Sequence, residues 1–544
     1  MFKVALGFNL LVFLLFSTIC VSEEDLKGQI IYQVPENSIR SLTIAWEMPD
    51  SLDAPQIVGG LLCQKAKGSL LDALRHERLA ENVEYRTVRN NPKTCEFALK
   101  IDLSVFGVKR AYTVIEMCFQ AIALLREKGV PDYLYDEMQR LAEIESLRAK
   151  SYDREAVKQF ISQLTPLNCI FSLQAPETEL PVKMIGERTA VRPMPVAKLT
   201  AWSMIKPHPA LCLPLPNPYI PHALTLHSHP NPHEDLKSLL PHPSLIANQK
   251  EGMIYFAQDA RFKVPRISWS IEIKSPEIDA GFARKTVLTD LYIKAAKEVL
   301  GANAYAARLA GLEFNLKPTE NGIQILVDGY CEHAERFLFE LLEDLKQLKV
   351  SPERFKEHRE ALFKIYHKAV VENPLLQAMD VMRSILYRDF TLNREKEIIV
   401  KKITFETFEE FCSNLFKKVY VEGMLYGNMT AKEAENLSQR IFYALASAKP
   451  YPKNEQLKKK ILVLPEEKGP YFTEVKSKVR GNVAILAIQE LPFSFKSRAA
   501  QQILMMAMKE PFTSVLSKQQ SGLTVLVTGE EIEQFLFSFF AVQS

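Results

Sequence analysis

Apolar residues recur along this chain with two periods. From Leu288 the spacing is helical, with Leu288, Leu291, Tyr292, Ala295 and Val299 on one face. By Ile323 it has become alternating, and Ile323, Ile325 and Val327 between polar neighbours predict a half-buried strand. The same switch recurs elsewhere. Ser41 to Glu47 alternates Leu42, Ile44 and Trp46, and Phe97, Leu99 and Ile101 line one face of a second strand. Gly68-Ser69 opens a helix through Leu70, Leu71 and Leu74. Ile115, Cys118, Phe119, Ile122 and Leu125 keep helical spacing until Gly129 and Pro131 stop them, and another helix runs from about Tyr133 to Ala149. Strands followed by helices, repeated, predict an α+β fold with a helical layer on each sheet.

At 544 residues the chain exceeds what one core holds, roughly 250–300 residues, so several domains are expected. Changes of pattern place them at 23–205, 251–455 and 456–544, after a leader at 1–22 and around a Pro/His-rich linker at 206–250. Prolines accumulate from Pro193 to Pro243, which reads as extended chain. The next domain opens with Ile267, Trp269, Ile271 and Ile273 alternating, carries a long helix near Glu353 to Val371, and closes near Tyr451-Pro452. The remainder holds a strand with Val483, Ile485 and Ala487, a helix around Ile503 to Met508, and a strand near Phe535 to Val542. That is about half a domain. Phe535, Phe537, Phe539 and Phe540 are therefore expected to lack a covering helix, making this tail unstable and aggregation-prone.

Composition narrows the function classes. Apolar residues at 47% and charged residues at 24% fit ordinary globular protein. A net charge of +3 is too small to argue for a nucleic-acid partner or an anionic membrane surface, and neither partner is expected. The eight cysteines are dispersed without a C-x-x-C pair, so neither a zinc ribbon nor a disulfide framework is indicated. Lys3, the apolar run Val4 to Phe16 and the small residues around Cys20-Val21-Ser22 form a secretory leader pattern, too short to span a bilayer comfortably. Export, to a periplasm, is the expectation. A cytoplasmic location follows if the start is misassigned, and no membrane span is expected beyond the leader.

Candidate chemistry is sparse. His222, His227, His229, His233 and His242 cluster in the linker, but Pro230 and Pro232 exclude the helical geometry that would hold two imidazoles together. None of the ten histidines stands in H-E-x-x-H or H-x-x-E-H, no G-x-S-x-G elbow occurs, and no cysteine has the context of an activated thiolate. The residues offer no autonomous catalytic constellation and no metal ligand set.

Several motifs in order carry a family resemblance. They are Gly68-Ser69-Leu70-Leu71; Phe262, Pro265, Ser275 and Pro276; Leu288 to Tyr292; Ala304-Tyr305; Ala310-Gly311-Leu312; Gly329-Tyr330; and Gly427-Asn428. Together they resemble the zinc metallopeptidases of the insulinase family (insulysin/pitrilysin-like, with an inverted H-x-x-E-H motif) from about Gly28 onward. The resemblance implies tandem homologous domains, each a mainly antiparallel sheet with a helical layer, in a clam-shell. It makes 23–205 the second domain, 251–455 the middle or third domain and 456–544 part of the fourth, with the catalytic first domain missing. Zinc is the cofactor of full-length relatives; none is expected in this chain.

In the fourth domain the family's F-x-x-L-R-T-x-x-Q-L-G-Y segment matches Phe512 to Leu523 here, with Leu516 at the Arg position and Leu523 at the Tyr position. Leucine supplies neither charge nor hydroxyl, so no catalytic residue is assigned and enzymatic activity is left open. A family edge strand that pairs with substrate matches Val83, Glu84 and Tyr85. Three readings stay open: a partner that complements a separately encoded catalytic domain, a non-catalytic half-shell that binds peptides, or the remnant of an interrupted gene.

Overall fold

The computed structural model describes residues 26–544 apart from 36–38, 50, 52, 90–92, 147–151, 183–187, 228–241, 260–261, 263, 372–373, 446–448, 457–460, 466–468, 476–480, 520–522 and 533. They form two compact units, one up to His222 and one from Ala223 onward, with residues 301–310 belonging to the first.

The first unit contains β1 (Gln29–Gln33), β2 (Ser41–Pro49), α1 (Ala54–Leu62), α2 (Leu70–His76), β3 (Ala80–Arg89), β4 (Thr94–Leu103), α3 (Val105–Lys109), α4 (Ala111–Lys128), α5 (Asp132–Ser146), α6 (Arg154–Gln163), β5 (Cys169–Gln174), β6 (Thr189–Pro193) and α7 (Val196–Ser203). Its sheet runs β3-β4-β2-β5-β1-β6. The alternation in β2 sends Leu42, Ile44, Trp46 and Met48 into the core, each at most 1% exposed. Trp46 is the hub: its indole N–H donates to the Thr165 carbonyl at 3.0 Å, and its ring lies 6.0 Å from Phe97 and 6.2 Å from Phe119. Phe119 on α4 stacks in turn on Trp202 of α7, 6.1 Å between centroids. α2 starts where it does because Ser69 caps it, accepting from the Asp72 N–H at 3.2 Å.

The second unit repeats that plan. It contains β7 (Ser244–Asn248), β8 (Gly252–Gln258), β9 (Arg266–Lys274), α8 (Ala283–Leu309), β10 (Leu312–Pro318), β11 (Gly322–Tyr330), α9 (Ala334–Lys346), α10 (Pro352–Val371), α11 (Pro374–Leu386), α12 (Asn393–Val400), α13 (Phe405–Leu415), β12 (Lys418–Gly427), α14 (Ala431–Ala444) and β13 (Lys449–Pro450). The order β10-β11-β9-β12-β8-β7 matches the first sheet in five strands; the sixth differs, because β7 precedes β8 in the chain whereas β6 follows β5, and β13 is added beside β12. Even the exceptions agree: β1 runs parallel to β5 and β8 parallel to β12, while the other pairs along both paths are antiparallel. The fold is α+β with mainly antiparallel sheets.

Within the stretch read as a linker, residues 206–227 have no helix or strand, and Ser244–Asn248 form β7. The first part is anchored. Leu211, Tyr219 and Ile220 are buried, and Arg140 of α5 donates to the carbonyls of Pro221 at 3.0 Å and His222 at 2.9 Å.

A third sheet, also in the second unit, consists of β14 (Val483–Pro492), β15 (Thr524–Ile532) and β16 (Phe535–Gln543) in the order β14-β16-β15, with α15 (Phe495–Gln519) between β14 and β15. Here the structure corrects the expectation of uncovered phenylalanines. Phe537 and Phe539 are 1% and 2% exposed, packed with Leu386 of α11 and Ile532. On the other face Gln501 of α15 donates to the Phe537 carbonyl at 3.0 Å and to Ser538 Oγ at 3.2 Å. Phe512 of α15 meets Phe540 edge-on at 5.5 Å. The cover comes from α11, more than a hundred residues earlier in sequence, which the pattern of the tail alone does not reveal. Phe537→Ala should therefore cost about 3–5 kcal/mol by denaturant unfolding. A loss below about 1 kcal/mol would mean that the phenylalanine is exposed after all.

Candidate peptide-binding edge

β3 lies at the end of its sheet, and among the described residues its only ladder partner is β4. Its other edge presents backbone N–H and C=O groups to an incoming strand. Near its start the edge is blunted. A register shift falls between Ala80 and Asn82, and the Arg75 guanidinium donates to the Glu81 carbonyl at 2.8 and 3.2 Å. The usable stretch therefore runs from Asn82 to Val88.

Val83, Glu84 and Tyr85 sit in the middle of that stretch. Val83 is 1% exposed and anchors the strand in the core, whereas Glu84 and Tyr85 are exposed. The strand's two faces differ. Tyr85 lies against α1 and 6.3 Å from Phe97, on the apolar side; burial, with a smaller contribution from Cys63, pushes its hydroxyl pKa up. The opposite face is polar: Asn82 donates to Glu84 Oε1 at 2.7 Å, and Arg86 pairs with Glu96 at 3.0 Å. The edge thus offers an apolar seat on one side and charges of both signs on the other.

The seat depends on Gly59 of α1. A Cβ built there would stand 2.4 Å from the Tyr85 ring, so only glycine leaves room. Sequence reasoning missed both Gly59 and Arg75. The signal for the first was present, since Gly59-Gly60 inside an apolar helical pattern calls for a packing reason.

The histidines of the linker are not brought together among the described residues; His229 and His233 lie outside them. His227 has its ring 3.6 Å from Glu433, His222 gives its carbonyl to Arg140, and His242 is exposed. His358 and His367 of α10 are each held by an acid, Glu298 at 3.2 Å and Glu397 at 2.8 Å. Burial pushes the thiols of Cys63 and Cys169 well up and those of Cys118 and Cys412 to about 12, opposite to what a nucleophile needs. A cavity of about 240 Å³ beside α8 contains Asp279, Asp290 and Lys396. Its groups already answer one another: Asp290 accepts from the Tyr366 hydroxyl at 2.6 Å and lies 3.6 Å from Lys396, and Asp279 accepts from the Gly281 N–H at 2.9 Å.

Comparison with known proteins agrees with this architecture. The family described as the middle or third domain of peptidase M16 matches residues 134–397. Nardilysin of Homo sapiens is 24% identical over 91% of this chain and 46% of its own length. Insulin-degrading enzyme of Bos taurus is 22% identical over 86% of this chain and 49% of its own. A crystal structure of pitrilysin shares the fold with a TM-score of 0.65 at 19% identity, over 96% of this chain and 59% of pitrilysin. These matches support an insulinase-family, metallopeptidase-like protein. It spans about half the length of the curated relatives it matches.

The zinc of that family finds no fit here. Among the described residues no three His, Cys, Asp or Glu side chains converge as ligands, and the α10 imidazoles are each taken by a separate carboxylate. Leu516 lies in the last turns of α15 and Leu523 just before β15, both half-buried and without a polar group. No catalytic step is derived through a metal.

The geometry at Gly59 is open to a direct test. Gly59→Val should displace the Tyr85 ring and cost about 1–3 kcal/mol, as overpacking does, with a change in the near-ultraviolet tyrosine signal. Unchanged stability and spectrum would mean that Tyr85 does not rest on α1.

Proposed function

We propose that this chain binds extended peptides without hydrolysing them, taking the peptide as an added strand on the open edge of β3. The observation that carries the reading is the position of Val83, Glu84 and Tyr85 on an edge strand whose outer side, from Asn82 to Val88, has no ladder partner among the described residues. Backbone pairing supplies affinity regardless of sequence, while the flanking side chains select. A residue of the peptide on the Tyr85 side meets apolar surface, and its neighbours meet Glu84 and Arg86. The absence of hydrolysis is supported by the sequence: H-x-x-E-H occurs nowhere in these 544 residues, and leucines stand at the Arg and Tyr positions of the substrate-clamping segment. Export through the leader at 1–22 belongs to the same proposal, placing the site where extracytoplasmic peptides pass.

The test uses a fluorescent peptide of about ten residues alternating valine and lysine, long enough to pair along the edge. Saturable binding is expected, with the peptide recovered intact by mass spectrometry. The same peptide methylated on alternate backbone nitrogens should bind roughly tenfold or more weakly, because it cannot complete the ladder. Equal affinity for both peptides would refute strand addition; cleavage would refute the non-hydrolytic reading.

A further inference from the structure

β10 is the counterpart of β3. Each is the end strand of its sheet, and each is entered from a helix through a residue in the left-handed region, Arg78 at φ 57° and Gly311 at φ 79°. The two edges are finished differently. β3 begins with a register shift and with the Glu81 carbonyl already taken, whereas β10 keeps unbroken register with β11 from Leu312 to Pro318. From Glu313 to Lys317 no backbone group of β10 bonds outside that ladder among the described residues. Pro318, which lacks an N–H, closes the stretch.

The side chains define what suits this edge. On one face Leu312 and Leu316 are at most 1% exposed, and Phe314 between them is half-buried and meets Phe337 of α9 edge-on at 6.1 Å. On the other face Glu313, Asn315 and Lys317 are exposed, and neither charge is in an ion pair among the described residues. Across the ladder Glu313 meets a second acid, Asp328, whose own partner is Arg266 at 3.0 Å. Lys317 meets Gln324, which donates to Ser270 Oγ at 2.9 Å. The edge thus carries an unanswered acid and an unanswered base on one face, about 13 Å apart by strand rise.

We propose that β10 takes an extended peptide as an added antiparallel strand, and selects one with an acidic residue four positions before a basic one. Antiparallel pairing is how both end strands are already held, and it is the commoner arrangement. In that direction the acid of the peptide lies beside Lys317 and the base beside Glu313, each answering a free charge. The residues one and three positions after the acid fall beside Leu316 and Phe314 and are apolar. β3 reads charge less strictly, because Arg86 is paired with Glu96 and Glu84 accepts from Asn82. The β10 site stands or falls independently of peptide addition at β3.

The test titrates the full chain with the capped peptide TEVTVKT and follows amide exchange at residues 312–317 and 82–88 separately. At saturation, alternate amides within 312–317 should slow roughly tenfold or more. Lys317→Glu changes an exposed side chain and should leave the thermal melt unchanged. It should weaken protection of 312–317 by this peptide on the order of fivefold or more, and the peptide TKVTVKT should restore it. Protection at 312–317 without protection at 82–88 supports the β10 site while counting against the reading of β3. No slowing at 312–317 overturns the β10 site, as does slowing that ignores both Lys317→Glu and the charge of the peptide. Protection of 312–317 that rises with protein concentration in the absence of peptide also overturns it, because a second copy would then hold the edge.

Discussion

A sheet whose strands alternate apolar and polar residues is stable only while its apolar face is covered and its edges are paired or blunted. That constraint organises this molecule. In the first unit α4 and α7 seat Phe119 and Trp202 against the strand that carries Trp46, and the hub is sealed. In the second unit the same order recurs in five strands with its own helices, and Ile271 and Ile273 vanish as completely as Ile44 and Trp46 do. The third sheet meets the constraint only in part. α11 covers Phe537 and Phe539, whereas Leu486 and Ile488 of β14 are exposed and its far edge has no ladder partner among the described residues. Where cover is complete the surface is inert.

The outer edges of β3 and β14, without ladder partners among the described residues, differ in their side chains. β3 is blunted at Glu81 by Arg75, carries charge at Glu84, Arg86 and Arg89, and offers apolar contact at Tyr85. Charges along such an edge disfavour pairing with a second copy of itself. β14 has no charge from Val483 to Gln489. The contrast comes from side chains alone, since both strands expose similar backbone.

Much of this architecture was legible in local periodicity. The alternation of Leu42, Ile44 and Trp46, and the helical spacing of Ile115 to Leu125, each become an element with the expected buried face. The ordered motifs from Gly68 to Asn428 led to the family that the comparisons support. What failed to show was long-range. The fate of the tail phenylalanines turns on α11, and the seat of Tyr85 turns on Gly59, which is distant in sequence and becomes a neighbour only after folding. The anchoring of residues 206–227 was hidden likewise, because proline content describes local stiffness and not which helix the segment packs against. Site chemistry was legible chiefly as departures, the leucines at 516 and 523 above all.

Amide exchange across residues 82–88, followed with and without saturating extended peptide while the mass of the peptide is monitored in the same sample, reports on strand addition and hydrolysis together. If β3 receives the peptide as a strand, alternate amides in that stretch should slow by roughly tenfold or more, with β14 unaffected and the peptide intact. Exchange in β3 that does not respond to bound peptide, or peptide that is shortened during the measurement, would contradict the account.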